Sequence, residues 1–344
     1  MISQSEQLRH FSSNYLNLII LPTEACNFRC TYCYETFENR KMSRPVVTGI
    51  KSLIDRRGAD LDALEISWFG GEPLLALDVI AEISKHALDV ARTEGFAFRS
   101  GMTTNGYFLD QERFAQCLNH KIDFFQISLD GDHDDHNASR KLASGGGTFD
   151  RIWSNLIEIK ATRAEFVVLL RLHYTMENFI AVGQFARRVH DVFGDDHRFR
   201  CFFHNIARLG GSNDDNITII SEQDQKEIEA HLWGASGFLR PPDQGESYVC
   251  YAAKGNSLLI RSTGRLAKCT VALNDSCNDI GWISESGEVC VDQKKYQRWI
   301  APLVESDWEN VGCPLPSVMR QVERDDAGLH GLPPEADPLA AVAR

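Results

Sequence analysis

The sequence predicts an α/β fold: a partial (β/α)6, TIM-like barrel followed by a small C-terminal α+β extension. Three observations lead there. Six short apolar runs alternate with longer segments of helical spacing over residues 1–235. A repeated strand-then-helix order implies a parallel sheet with right-handed crossovers. Six units fall short of the eight that close a barrel, so the barrel is expected to stay open. After a Gly/Pro-rich joint, "GASGFLRPPDQGES", the pattern changes to short strands and turns, marking a second unit over residues 236–324. Residues 325–344 read as a flexible tail.

The strand-length apolar runs are Leu16–Pro22, Ala63–Phe69, Phe96–Thr104, Ile122–Asp130, Phe166–Tyr174 and Arg198–Ile206. The segments with helical spacing are Pro45–Asp55, Leu77–Arg92, Asp110–Asn119, Thr148–Arg163, Glu177–Val189 and Ser221–Trp233. In barrels of this kind the chemistry sits on loops at the C-terminal ends of the strands. In the extension, "NSLLIR" and "RLAKC" read as two strands of a hairpin turned at "STG".

Composition bounds the function. A net charge of −12 argues against a general nucleic-acid surface, which needs clustered Lys and Arg. The N-terminus has no basic start followed by a long apolar run, and no stretch approaches the length of a membrane helix. A cytoplasmic chain with no membrane partner is expected, where thiols stay reduced. Ten cysteines in that setting point to metal or redox chemistry rather than disulfides.

Three of them, Cys26, Cys30 and Cys33, fall within "TEACNFRCTYCYE", just after the first strand. The spacing is Cys-x3-Cys-x2-Cys. A structural zinc site is the competing explanation, but it wants four ligands, usually from two short pairs. A cubane iron–sulfur cluster on three thiolates accounts for the count better. Its fourth iron has no protein ligand, so the cluster is expected to bind a further molecule there.

This stretch resembles the signature of the radical S-adenosylmethionine (radical SAM) enzymes. The resemblance implies a [4Fe-4S] cluster whose open iron chelates S-adenosylmethionine, and Tyr32 fits the aromatic position before the last cysteine. It extends to "WFGGEPLL", whose Gly70, Gly71, Glu72 and Pro73 match the family's GGEP motif; backbone carbonyls and Glu72 are expected to receive the ligand's ammonium. Thr104 and Asn105 in "MTTNGYFL", and Ser128 and Arg140 in "ISLDGDHDDHNASR", correspond to cofactor positions. Asn105 and Ser128 would meet the ribose or carboxylate, and Arg140 would pair with the carboxylate. A simple turn at Thr103–Gly106 and a solvated Arg140 are the bland alternatives.

Cys250, Gly264 and Cys269 resemble the pattern of the SPASM and twitch extensions of these enzymes, which makes the second unit an iron–sulfur extension. Two buried free thiols are the alternative. Cys313 stands alone where a full SPASM domain has more cysteines, with Met319 and Glu323 at later thiol positions. One auxiliary cluster is therefore expected, on Cys250, Cys269 and Cys313, with Cys277 as a local substitute. Cys290 reads as a strand residue, and Cys117 and Cys201 as core.

The resemblance implies a peptide-modifying oxidoreductase. The leading expectation is maturation of a ribosomally synthesised peptide by a side-chain crosslink. Asp130, Arg171, His173 and His204, at the ends of strands four to six, are the candidate substrate-facing residues, with rim hydrogen bonding as the alternative role. Expected partners are a precursor peptide, a reductant such as flavodoxin or ferredoxin, and a separate leader-peptide recognition protein, since the sequence shows no spare N-terminal domain for that task. The alternatives are a twitch-type dehydrogenase of a small alcohol or sugar, and sulfatase-maturase-like protein oxidation. Thr270 lowers the last, because sulfatase-maturing members carry an acidic residue after that cysteine.

Overall fold

The computed structural model describes residues 3–241 and 248–326. Beyond residue 326 the expected tail lies outside the described residues, as do residues 242–247 of the joint. A short helix α1 (Gln4–Arg9), closed by a Ser3 capping box, precedes the first strand. The chain then runs β1 (Tyr15–Ile20), β2 (Phe28–Cys30), α2 (Arg44–Gly58), β3 (Ala63–Trp68), α3 (Leu77–Glu94), β4 (Ala97–Thr104) and α4 (Gln111–Asn119). It continues through β5 (Ile122–Leu129), α5 (His133–Ser139), β6 (Arg140–Leu142), α6 (Phe149–Lys160), β7 (Val167–Tyr174), α7 (Phe179–Phe193), β8 (Phe199–Asn205) and α8 (Glu222–Ser236).

Six of these strands pair in parallel in the order β1-β3-β4-β5-β7-β8, each followed by a helix, as expected of a partial (β/α)6 barrel. Alternation along each strand divides its residues between two faces. On β7, Val168, Leu170 and Leu172 are fully buried in the apolar core with α6 and α7 residues such as Ile152, Leu156, Val182 and Phe185. Arg171 and His173, on the opposite face, line a cavity at the C-terminal ends of the strands.

The extension does not stand apart. It contributes β9 (Ser257–Ile260), β10 (Arg265–Ala267), β11 (Gly281–Ile283), β12 (Val289–Val291), α9 (Gln293–Val304) and α10 (Leu315–Asp326). The β9–β10 hairpin forms as expected, with Gly264 at φ +82° in its turn. β9 then pairs in parallel with β1, from Asn17↔Ser257 to Ile20↔Ile260. The result is one ten-stranded sheet, β12-β11-β10-β9-β1-β3-β4-β5-β7-β8. Among the described residues no helix is long and apolar enough to cross a membrane.

Candidate active site

The loop after β1 carries the three thiols to the cavity. Cys26 precedes β2, Cys30 ends it, and Cys33 follows; all three are half-buried free thiols lining one cavity. β2 is a strand because β6 pairs with it antiparallel, setting Cys30 opposite Arg140. The glycines after β3 press against the same loop. A Cβ on Gly70 would stand 2.2 Å from the Thr23 carbonyl oxygen, and one on Gly71 2.5 Å from that of Ala25. Only glycine permits this approach, and the Glu72 N–H completes it by donating to the Ala25 carbonyl at 3.0 Å.

The donor set suits a cationic centre. Burial pushes the Cys26 and Cys33 thiols up to about 12 and raises Cys30, so the thiolates require a positive charge to persist. The Phe28 N–H already donates to Cys26 Sγ at 3.3 Å. The Asn27 Nδ2, whose Oδ1 accepts from Asn105 Nδ2 at 2.9 Å, and the Arg140 Nε are buried polar atoms without a partner beside this loop, donors that a ligand could meet.

Tyr32 is the hub of a buried network. Its hydroxyl accepts from Arg140 Nη1 at 2.6 Å and lies 3.0 Å from both Asp130 Oδ1 and His173 Nδ1. Asp130 also takes the Ser139 hydroxyl at 2.6 Å and the His173 Nδ1 at 2.9 Å. Burial works to raise the Asp130 carboxyl, but the Arg140 charge and the His173 bond outweigh it and keep it ionised. Burial holds His173 below its ordinary range despite Asp130. Burial, then the Arg171 charge, hold His204 at about 3.

The expected site residues divide accordingly. Tyr32, Gly70, Gly71, Thr104, Asn105, Ser128, Arg140, Arg171, His173 and His204 line the cavity with the three cysteines. Asp130 does not: its carboxylate is taken up by Tyr32, Ser139 and His173. Glu72 and Pro73 do not either. Glu72 is fully buried, and its two oxygens are occupied by Leu74 N–H at 3.0 Å, Thr104 Oγ1 at 2.8 Å and Asn105 N–H at 2.8 Å. It ties the turn after β3 to the end of β4 instead of reaching a ligand. Pro73 opens the one-turn helix after it.

In the extension Cys250 is half-buried, Cys269 buried and Cys313 exposed. Cys250 N–H donates to the Val311 carbonyl at 3.1 Å, which brings Cys313's loop alongside, and each thiol lies within reach of the others' charge. Burial raises Cys250 to about 11 and raises Cys269, whose sulfur takes the Val271 N–H at 3.4 Å. Tyr34 is half-buried in the cavity wall, and burial, then the charges of Glu35, Tyr251, Cys33 and Cys269, push its hydroxyl up. Cys277 is buried and near Cys269; Cys290 is on β12; Cys117 and Cys201 are in the core.

Two devices escaped the sequence reading. Buried Glu24, two residues before Cys26, pairs with Arg261 at 2.6 Å and accepts from Ser262 Oγ at 3.0 Å and Asn39 Nδ2 at 3.0 Å. That joins the hairpin to the thiol loop; a charged residue on each of two loops gives no pairing signal in sequence. His136 on α5 accepts from Asp130 N–H at 3.4 Å and meets Thr148 Oγ1 at 3.1 Å, while Thr148 donates to the Arg140 carbonyl at 2.6 Å. This relay fixes the backbone that presents Arg140.

Comparison with known proteins agrees with this geometry. The radical SAM superfamily model matches residues 20–186. A GTP 3′,8-cyclase of Thermodesulfovibrio yellowstonii is 31% identical over 299 residues, 80% of this chain and 86% of that protein. The chain belongs to the radical SAM superfamily. It is an enzyme family whose members hold a [4Fe-4S] cluster and S-adenosylmethionine, and the three thiols and their cavity fit both. A cysteine-type anaerobic sulfatase-maturating enzyme of Clostridium perfringens is 27% identical over 164 residues, 45% of this chain and 43% of that protein, so the chain matches less than half of this relative's length. Two solved structures share the fold. anSMEcpe with AdoMet and the Kp18Cys peptide aligns at TM-score 0.63 and 17% identity, covering 86% of this radical SAM chain and 84% of that one. Streptococcus suis SuiB bound to its precursor peptide SuiA aligns at 0.56 and 15%, covering 86% and 69%.

Proposed function

We propose that this enzyme modifies a ribosomally made precursor peptide, removing hydrogen from a side-chain carbon and leaving a crosslink. The observation that carries the reading is the placing of Cys250 and Cys269 on either side of a hairpin clamped through Arg261 to the three-cysteine loop, with the loop of Cys313 alongside. That arrangement suits one auxiliary iron–sulfur cluster able to take up an electron after hydrogen abstraction. The C. perfringens relative is by name a sulfatase-maturating enzyme, and both solved structures named above hold peptides. When bound, the cluster and S-adenosylmethionine supply a 5′-deoxyadenosyl radical that takes a hydrogen atom from a C–H bond.

The chain's own residues do the rest. Cys26, Cys30 and Cys33 would be the cluster ligands. Gly70, Gly71, Asn105, Ser128 and Arg140 would orient the cofactor, with Tyr32 and Asp130 fixing the Arg140 fork. Phe28, Phe37, Phe69, Ile206 and Leu209 make the wall apolar and exclude water from the radical's path. The electron would come from flavodoxin or ferredoxin, and leader recognition would fall to a separate protein.

The test is anaerobic co-expression with short peptides encoded beside the gene, followed by mass spectrometry. A peptide that loses two hydrogens in step with 5′-deoxyadenosine formation supports the reading. The identity to the T. yellowstonii cyclase over most of both chains favours a second reading, cyclisation of a nucleoside triphosphate. Consumption of GTP with every peptide unchanged would decide for it.

A further inference from the structure

We infer that Arg171 is the receptor for a carboxylate of the substrate, a conclusion that rests on the peptide reading above and names the feature the peptide must carry. Arg171 lies on β7 between Ser128 of β5 and Phe202 of β8, and its side chain faces the cavity. Among the described residues its guanidinium makes no hydrogen bond and no ion pair. Its Nε is wholly buried and unpartnered. The other interior arginines differ: Arg140 is bonded to Tyr32, Arg198 to Asp196, Arg261 to Glu24 and Arg298 to Asp325.

A guanidinium cannot shed its proton to escape burial. The residue is half-buried, its Nε sealed off from solvent while its side chain lines the cavity, so a partly desolvated guanidinium is held there ready to receive an anion. The edge of the field is set by Asp130, but that carboxylate is already shared among Tyr32, Ser139 and His173, with Arg140 at 3.9 Å. Phe202 offers only a ring face, 5.8 Å from Cζ. Glu35 lines the same cavity but makes no bond to Arg171, so among the described residues no carboxylate pairs with this guanidinium.

Its chemistry favours a carboxylate. The cationic side chains lining the cavity are Arg140 and Arg171, with no lysine among them, and Arg140 stands opposite Cys30 where the cofactor is expected. One planar fork matches one carboxylate in two-point contact, whereas a triphosphate spreads more charge than a single fork can meet. His204 and Asn205, on the neighbouring strand, give the anion neutral polar neighbours at the rim. The carboxylate would come from an Asp or Glu side chain or from the peptide's C-terminus.

The test uses the anaerobically reconstituted chain and calorimetric titration with capped Gly-Glu-Gly, capped Gly-Gln-Gly, N-acetylated Gly-Gly-Gly with a free C-terminus, and GTP. One of the two carboxylate peptides should bind about tenfold tighter than the Gln peptide. Which of them does so identifies the source. Arg171→Met should erase the difference and Arg171→Lys restore part of it, with S-adenosylmethionine binding unchanged in both. Without peptide, Arg171→Met should raise the melting temperature by a few degrees, because the uncompensated charge is gone. Equal binding of all peptides, or loss of S-adenosylmethionine binding in Arg171→Met, would overturn the inference. GTP binding tighter than every peptide would overturn it together with the peptide reading. Carboxylate discrimination without any peptide crosslink would leave the receptor standing and refute the crosslink alone.

Discussion

Acidification should weaken this fold through His136. The ring is fully buried on α5, its Nδ1 accepting from the Asp130 N–H and its Nε2 facing Thr148. Burial, then the Arg140 charge, hold its pKa at about 3 against an ordinary 6.5. The unfolded chain therefore takes up a proton near pH 6.5 that the folded chain refuses until near pH 3. Within that window the unfolded state binds more protons, so stability is intact above pH 6.5 and falls as pH drops. Each pH unit costs about 1.4 kcal/mol, giving about 2 kcal/mol at pH 5 and an upper bound of about 5 kcal/mol near pH 3. Urea unfolding of the reduced, metal-free chain, followed by circular dichroism at about pH 7 and about pH 5, measures the loss. His136→Asn keeps an acceptor for Asp130 N–H but has no titrating ring. His173 and His204 titrate in the same direction in both proteins, so the difference between proteins isolates His136. An equal loss in wild type and variant would refute the assignment.

Breaking the Glu24–Arg261 pair from one side leaves a buried charge, so Glu24→Gln or Arg261→Met should each cost about 3–5 kcal/mol in urea unfolding, and the double variant should recover much of that. Gly71→Ala drives a Cβ into the Ala25 carbonyl and should lower iron retention in the three-cysteine loop, read by iron analysis after anaerobic reconstitution. Wild type should bind about eight irons per chain if both thiol groups are filled, and Cys269→Ala about four. Four in both proteins would exclude an auxiliary cluster.

Most strands were legible to within a residue or two because each is an apolar run bounded by polar loops; β7 is one example, expected at Phe166–Tyr174 and found at Val167–Tyr174. The segment "GDHDDHNASRKL" offered no such signal. It is polar apart from Gly131, Ala138 and Leu142, and β6 exists only because β2, over a hundred residues away, accepts it as a partner. The β1–β9 ladder was hidden for the same reason, since long-range parallel pairing leaves no local pattern. At the site, glycines and cysteines could be read because few residues can replace them. Glu72, expected at the ligand, has its oxygens on Leu74 N–H, Thr104 Oγ1 and Asn105 N–H, and a carboxylate after two glycines looks the same in sequence in either setting. Arg171 could be placed on the right face by alternation, but its lack of a partner is visible only when every neighbour is in position.

The β1–β9 ladder carries a last consequence for how the two units depend on each other. A boundary at residue 236 follows the change of pattern in the chain, yet the sheet crosses it. Ending the chain after Ser236 would remove the neighbour of β1 from Asn17 to Ile20 and bare a row of backbone groups on an apolar strand, a template for aggregation. It would also leave Glu24 buried without Arg261, and uncover Ile19 and Leu21, which pack on Leu259 and Ala267. The lost pair alone costs about 3–5 kcal/mol, a large share of a typical domain's stability. Residues 1–236 expressed alone should therefore be recovered as aggregate. A monodisperse fragment in size-exclusion chromatography, melting cooperatively and still holding iron on Cys26, Cys30 and Cys33, would show that the barrel is self-sufficient. The clamp and the shared ladder would then be a docking interface between separable parts.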